Sequence, residues 1–292
     1  AAEGLARRAT SGDPSLMQIG SPKEKLLRAI ARYPYLSAPQ ATRYLFSKGS
    51  LTYVRKHLLE LHQAGYVQRV PLMPLRPHGT HLWTYILTGK GVSYVRQQGI
   101  EVAGRVRESE QRERQQLFLR HTMATNGLMI LAELLPSRDP RFSVQRLMTE
   151  RELKQAPVYV DVGGQAVGVV PDGWVELATK SRPWAIAFEL DRGTVSRKSW
   201  VAKLHAYEAY INGPYQQAFD TESLTIAVVT TDGPRRLREL CAWSGTELLD
   251  SPLAQLMLFA AFDSDQIEPA EAFLSPNWKQ LLTNDLTVLV EG

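Results

Sequence analysis

Up to Leu135 the apolar positions recur mostly at helical spacing, and beyond Pro136 they gather into short β-branched and aromatic runs. Leu26, Leu27, Ile30 and Ala31 mark the inner face of a first helix. Ahead of them Ser21-Pro22-Lys23-Glu24 offers an N-cap, a proline at the first helical position and a capping-box glutamate. Ser37, with Gln40 three residues on, opens a second helix whose inner face is Ala41, Tyr44 and Leu45. Ser50 is expected to cap a third, closed by Gly65, with Leu51, Val54, Leu58 and Leu61 in one inward stripe. Residues 66–70 and 81–87 read as a strand and its return, and 71–79 between them is too rich in proline for a sheet interior. Thr88-Gly89-Lys90-Gly91 opens a fourth helix through Tyr94 and Val95. Helices followed by strand, protruding loop and strand predict a winged helix-turn-helix over 21–100. The preceding residues 1–20 show no sustained period and read as a flexible arm.

Residues 106–135 read as one long helix within a connector spanning 101–136. Its first part, 107–120, is dense in alternating charge, which suits a solvated face, a spacer or a dimer helix. His121 and Asn126, where the charged part gives way to the apolar one, read as satisfied buried polar groups. Strands are expected at 142–147, 158–162, 166–177 and 184–190, then a helix at 195–210. A buried strand at 224–230, a helix at 235–243 and an apolar run at 256–262 complete the pattern. Meander, helix, strand, helix predicts a mixed α/β domain over 137–292, so the chain is α/β, or α+β overall.

At 292 residues, 44% of them hydrophobic, the chain is long enough for two domains with a core each. Charge separates the same two regions. Residues 1–100 hold 14 Lys/Arg against 4 Asp/Glu, and the remainder holds 20 against 26. A positive module joined to an acidic one implies that the first meets a polyanion, here double-stranded DNA. In the third helix Thr52, Tyr53, Arg55 and Lys56 fall outside the apolar stripe, in the half that would enter a major groove. Arg76 and His78 belong to the loop between the strands, where they would lie near phosphate; with His81 as the one further histidine nearby and no cysteine, zinc is not expected there. The single cysteine, Cys241, sits among Leu237, Leu240 and Trp243 and reads as a core residue. No stretch approaches the roughly 20 apolar residues of a membrane helix, and the first residues lack a signal-type apolar segment, so a cytoplasmic location is expected.

The chemistry-bearing residues cluster later. Pro171-Asp172-Gly173 follows an apolar run, and the next strand ends Glu189-Leu190-Asp191. Side chains alternate on a strand, so Glu189 and Asp191 share a face, and Asp172 joins them if the two strands pair. Three carboxylates gathered there repel one another unless a cation neutralises them, and oxygen ligands suit Mg²⁺ or Mn²⁺. The following helix offers Lys203, with Tyr207 and Tyr210 on the same side, to stabilise charge developing on a phosphate. Each residue also has a plainer role: Asp-Gly after proline is a turn signal, Lys203 suits a surface, and Thr194 or Ser196 suits a helix cap.

Taken in order, Pro171-Asp172-Gly173, Phe188-Glu189-Leu190-Asp191-Arg192-Gly193-Thr194, Lys203 and Tyr207 resemble the replication-relaxation family of plasmids and mobile elements. The resemblance covers approximately 20–245 and includes the Leu87-Thr88-Gly89-Lys90-Gly91 turn. It implies a winged helix followed by a PD-(D/E)XK nuclease-like domain, and a role in plasmid replication, relaxation or mobilisation. Active nucleases of that fold carry lysine two positions after the glutamate, where this chain has Asp191; Lys203 would supply the amine from the adjacent helix. Asp172, Glu189, Asp191 and Lys203 are thus the candidate catalytic set, the three carboxylates being the candidate metal ligands. Three functions compete: a metal-dependent endonuclease or nicking enzyme, a non-catalytic DNA-binding replication or regulatory factor, and the endonuclease subunit of a transposition complex. The retained Asp172, Glu189 and Lys203 favour the first, and Asp191 in place of lysine favours the second. Candidate protein partners are a second copy or other plasmid or transposition proteins. Phosphate-loop and dinucleotide glycine motifs are absent, as is a relaxase-like histidine cluster.

Overall fold

Residues 19–73, 82–102, 115–283 and 285–291 are described by a computed structural model. The first helix, α1 (Ser21–Arg32), takes Gly20 rather than Ser21 as its cap residue. The Gly20 carbonyl accepts from the amides of Lys23 (3.0 Å) and Glu24 (3.1 Å), and the Glu24 side chain turns to Arg28 (2.6 Å) instead of closing a capping box. After the short strand β1 (Leu36–Ser37), α2 (Ala38–Leu45) opens with the box that Ser37 and Gln40 predict. In α3 (Leu51–Gln63) the inward stripe is as expected, but Ser50 does not cap it; its hydroxyl lies 3.2 Å from that of Ser47. Gly65, at φ 74°, turns the chain out of the helix in a conformation that favours glycine.

The strands β2 (Val67–Leu72) and β3 (Leu82–Leu87) pair antiparallel, and β1 adds to the far side of β3. Pro71 therefore lies inside β2, where the sequence predicts loop. It fits because β2 is an edge strand, so an absent N–H need not break a ladder. Thr88 caps α4 (Gly89–Gln97), accepting from the Gly91 amide at 3.2 Å. Arg76, His78, His81, most of the expected arm and the charged stretch 107–114 lie outside the described residues.

The long helix α5 (Gln115–Arg138) runs through Pro136. Beyond it come β4 (Ser143–Thr149), α6 (Glu150–Leu153), β5 (Val158–Val162), β6 (Gln165–Val169), β7 (Gly173–Ala178) and β8 (Pro183–Asp191). Then follow α7 (Arg197–Ile211), α8 (Pro214–Phe219), β9 (Thr225–Thr230), α9 (Gly233–Glu247), α10 (Leu253–Leu256) and β10 (Met257–Ala261). The chain closes with α11 (Pro269–Leu274), β11 (Trp278–Gln280) and β12 (Leu286–Thr287).

A seven-stranded mixed sheet, ordered β12-β11-β10-β9-β8-β7-β4, organises this α/β protein. The β8, β9 and β10 strands are mutually parallel, and the outer pairings are antiparallel. The single strand expected over 166–177 is two: β6 pairs with β5 in a separate ribbon, while β7 joins the sheet. The break falls at Val170-Pro171-Asp172, where proline cannot donate to a ladder.

Alternation along the sheet separates two cores. Val175, Leu177, Ile186, Phe188, Leu190, Ala227 and Val229 share a buried cluster with Leu128, Leu131 and Leu135 of α5. Trp174, Ala187, Ile226 and Val228 join Leu204 and Tyr207 of α7 and Leu240 and Cys241 of α9. The first cluster continues into the N-terminal helices through Leu26, Ile30, Val54 and Leu58. Polar clamps reinforce this continuity: Gln40 donates to the Met123 carbonyl (2.8 Å), Asn126 to that of Pro34 (2.8 Å), and Arg43 to those of Ser264 (2.6 Å) and Ile267. Among the described residues no helix is long and apolar enough to cross a membrane.

Candidate active site

Asp172 and Glu189 meet because β7 and β8 pair antiparallel with Gly173 opposite Phe188. The break at Pro171 leaves Asp172 at the head of β7, its amide donating to the Phe188 carbonyl at 2.9 Å. One oxygen of its buried carboxylate accepts from the Leu190 amide (2.8 Å), and the other lies 3.0 Å from His121 Nε2 of α5. Glu189 is only 2% exposed, and both its oxygens have partners on α7: Lys203 Nζ and the Tyr207 hydroxyl. These two donors are four residues apart, so one helical face delivers both. Tyr210, expected on the same side, is taken into the core, edge-on to Tyr207 at 5.7 Å.

The third expected carboxylate, Asp191, also lines the cleft that holds Asp172 and Glu189. Asp191 does share the face of Glu189, but Arg236 of α9 grips it with a fork, Nε to Oδ2 and Nη2 to Oδ1, both at 2.9 Å. Thr230 (3.0 Å) and the Gly193 amide (2.9 Å) also donate to Oδ2. These bonds tie α9 and the turn after β8 to Asp191. Ser196, as its plainer role predicts, caps α7.

The cleft has a volume of about 270 Å³ and is lined by Leu117, His121, Asp172, Glu189, Arg192 and Lys203 among others. His121, read from sequence as a satisfied buried group, has its partner but faces this cleft. Glu150, at the first turn of α6 and paired with Lys154, adds a carboxylate beside His121 and Asp172: single ligand atoms of the three all lie within 4.8 Å of one another. Sequence reasoning missed Glu150. Its neighbours Thr149 and Glu152 form a capping box, which accounts for an acidic start to a helix without any site.

Electrostatics separate the two central carboxyls. Burial works to raise Asp172, yet His121, Lys203 and the Leu190 amide hold it below the usual carboxylate range. Glu189 is pushed up to about 7: burial is the main cause, and the charge of Asp172 adds to it against the pull of Lys203 and Tyr207. Lys203 is raised, because Glu189 and Asp172 together outweigh its own burial. His121 is raised likewise, its burial outweighed by Asp172 with Glu150 and Glu189 behind it. Near neutral pH, then, the site holds a fixed cation, a fixed anion and a carboxyl poised between its two forms.

Thr52, Tyr53, Arg55 and Lys56 lie on the exposed side of α3, and none of them lines the cleft. Tyr53 is held edge-on to His57 at 4.3 Å. Cys241 is buried, as its sequence context predicts.

A family model described as replication-relaxation matches residues 27–222. The chain belongs to the replication-relaxation family. No curated protein and no solved structure matches it significantly. The matched region of this replication-relaxation protein contains α3, α5, Glu150 and the Asp172, Glu189, Lys203 and Tyr207 constellation, and it stops short of Arg236.

The donor set fits a divalent cation. The 3.0 Å between His121 Nε2 and Asp172 Oδ1 is also the separation of neighbouring ligands at about 2.1 Å from an octahedral ion. One imidazole with two carboxylates tilts such a set toward Mn²⁺ over Mg²⁺.

Proposed function

We propose that this replication-relaxation protein acts on plasmid or mobile-element DNA as a metal-dependent phosphodiesterase that nicks the duplex. The observation that carries this is the meeting of Asp172, Glu189 and Lys203 from paired strands and the adjoining helix in one cleft. That arrangement supports the PD-(D/E)XK nuclease-like reading, with the amine moved from the strand to α7. Three N-terminal helices with a β1-β3-β2 sheet, and an exposed cationic face on α3, support a winged helix-turn-helix that holds duplex DNA.

Asp172, Glu150 and His121 would hold the ion, with Glu189 beside them. When bound, Mg²⁺ or Mn²⁺ supplies Lewis acidity at a phosphoryl oxygen and makes water a stronger nucleophile. Glu189, titrating near 7, is matched to accept a proton at Oε2 once Lys203 leaves it. The Lys203 ammonium, held protonated, turns to the phosphate and offsets the charge that develops there. Tyr207 keeps Glu189 oriented through Oε1. Supercoiled plasmid incubated with the protein and Mn²⁺ should yield relaxed circles, and Asp172→Asn should yield none. A wild-type protein that binds duplex but leaves plasmid supercoiled would favour the second reading, a DNA-binding factor that keeps the fold as a scaffold; Asp191 locked to Arg236 is the observation on its side.

A further inference from the structure

Two arginines, one lining the cleft and one on the turn of α5 that lines it, take no part in this chemistry. Arg120 precedes His121 on α5, and Arg192 follows Asp191 at the end of β8. Arg192 lines the cleft and donates through Nη1 to the Leu117 carbonyl at 3.0 Å. Arg120 donates to the carbonyl of Met73, at the end of β2. Gln116 fastens the same strand end to α5, donating to the Pro71 carbonyl (3.1 Å) and accepting from the Met73 amide (2.8 Å). The end of β2 is thus fastened to the stretch of α5 whose Leu117 and His121 line the cleft.

Among the described residues neither guanidinium pairs with a carboxylate, and each donates to one backbone carbonyl. The two charges also act on one another: burial lowers the pKa of each, and Arg120 lowers that of Arg192 further. A like-charged pair in partly desolvated ground is unfavourable until an anion enters. Beside it Leu117 is 63% exposed and Phe118 48%, apolar surface of the kind that sugars and bases cover.

We infer that Arg120 and Arg192 form a phosphate clamp that grips the DNA backbone next to the phosphate entering the cleft. This rests on the nicking reading only for which phosphate enters; the grip itself requires DNA and no metal. Guanidinium forks match phosphate oxygens, and these two are held by carbonyls in advance, so little side-chain entropy is lost on binding.

The test is fluorescence anisotropy of a labelled duplex oligonucleotide in EDTA over a salt series. It compares wild type, Arg120→Gln, Arg192→Gln and Lys180→Gln. Lys180 is an exposed cation past the opposite end of β7, so its variant removes the same charge far from the cleft. Each arginine variant should weaken binding about tenfold and make the logarithmic salt slope shallower by about 1, while Lys180→Gln changes neither. Melting temperatures of the arginine variants should match or exceed wild type, since repulsion is relieved. Should either melt lower, Arg→Lys at that position keeps the charge and should keep the slope while losing the fork's affinity. Unchanged slopes in both glutamine variants, or a wild-type protein that does not bind duplex, would overturn the clamp. Plasmid nicking in Mn²⁺ reads the other proposal separately. Slopes that fall in a protein that never nicks leave the clamp standing without the catalysis, and nicking with unchanged slopes leaves the reverse.

Discussion

Asp191→Ala separates a structural carboxylate from a metal ligand. The substitution removes the acceptor of four hydrogen bonds, two from Arg236 and one each from Thr230 and the Gly193 amide. It leaves a guanidinium whose side chain is only 6% exposed, with Glu239 (3.2 Å) and the Val195 carbonyl (2.7 Å) as remaining partners. Removing one partner of a buried pair costs about 3–5 kcal/mol when the surviving charge is stranded; Glu239 still faces Arg236, so the lower end of that range, about 3 kcal/mol, is expected. At about 2–4 °C per kcal/mol for chains approaching this size, Tm should fall on the order of 10 °C. Asp191→Leu with Arg236→Met, which removes both charges, should recover most of that loss. The assay is thermal melting of the single and double variants with and without Mn²⁺. In Asp191→Ala the Mn²⁺-dependent gain in Tm should persist on a lowered baseline. If the variant melts like wild type without metal and its Mn²⁺ response vanishes, Asp191 is a ligand and the anchoring argument is wrong.

The other outcomes follow from the same geometry. Asp172→Ala should abolish the rise in Tm that Mn²⁺ gives the wild type, because the metal then loses a ligand shared with His121 and Glu150. A Glu189 carboxyl raised from 4.5 to about 7 binds its proton more tightly in the folded state, so its contribution is complete below pH 4.5 and is lost as pH climbs through 7. Metal-free urea midpoints should therefore decline between pH 5 and 7, and Glu189→Gln should flatten the decline. Lys203→Met should retain the Mn²⁺-dependent gain in Tm while nicking falls by at least about a hundredfold. Arg55→Ala with Lys56→Ala should weaken duplex binding and make its salt slope shallower by about 2, measured by anisotropy.

What could be read from sequence was local in origin. The Ser37–Gln40 box, the stripe Leu51, Val54, Leu58 and Leu61, and the shared helical face of Lys203 and Tyr207 each follow from spacing within a turn or two. Pairing of Asp172 with Glu189 needed only the assumption that successive strands form a hairpin, which β7 and β8 do. Partners chosen across the fold left no such trace. Asp191 and Arg236 are 45 residues apart, His121 and Asp172 are 51, and nothing near either end of these pairs names the other. The closely spaced β-branched and aromatic residues over 166–177 concealed the break at Pro171, although β6 and β7 belong to different sheets. Pro71 misled in the opposite sense, since proline excludes a strand only where its missing N–H would face a neighbour.

Charge and core draw different boundaries, and the difference bears on mechanism. Net charge changes sign near residue 100, yet the apolar cluster runs unbroken from Leu26 through α5 to Phe188 and Val229. Charge reports on what the surface meets; periodicity reports on what the interior shares. The same helix, α5, lies against β1 and β2 with Arg120 and Gln116, contributes Leu128 and Leu131 to the sheet core, and presents His121 to Asp172. A duplex gripped through α3 is therefore held at a fixed offset from the cleft by packed side chains, with no hinge needed among the elements between them. If the protein nicks, the cut should fall at one distance from the bound sequence. Primer-extension mapping of nicks on a plasmid should show a single dominant position beside each bound site, and nicks scattered evenly around a site would mean that α3 and the cleft do not act as one body.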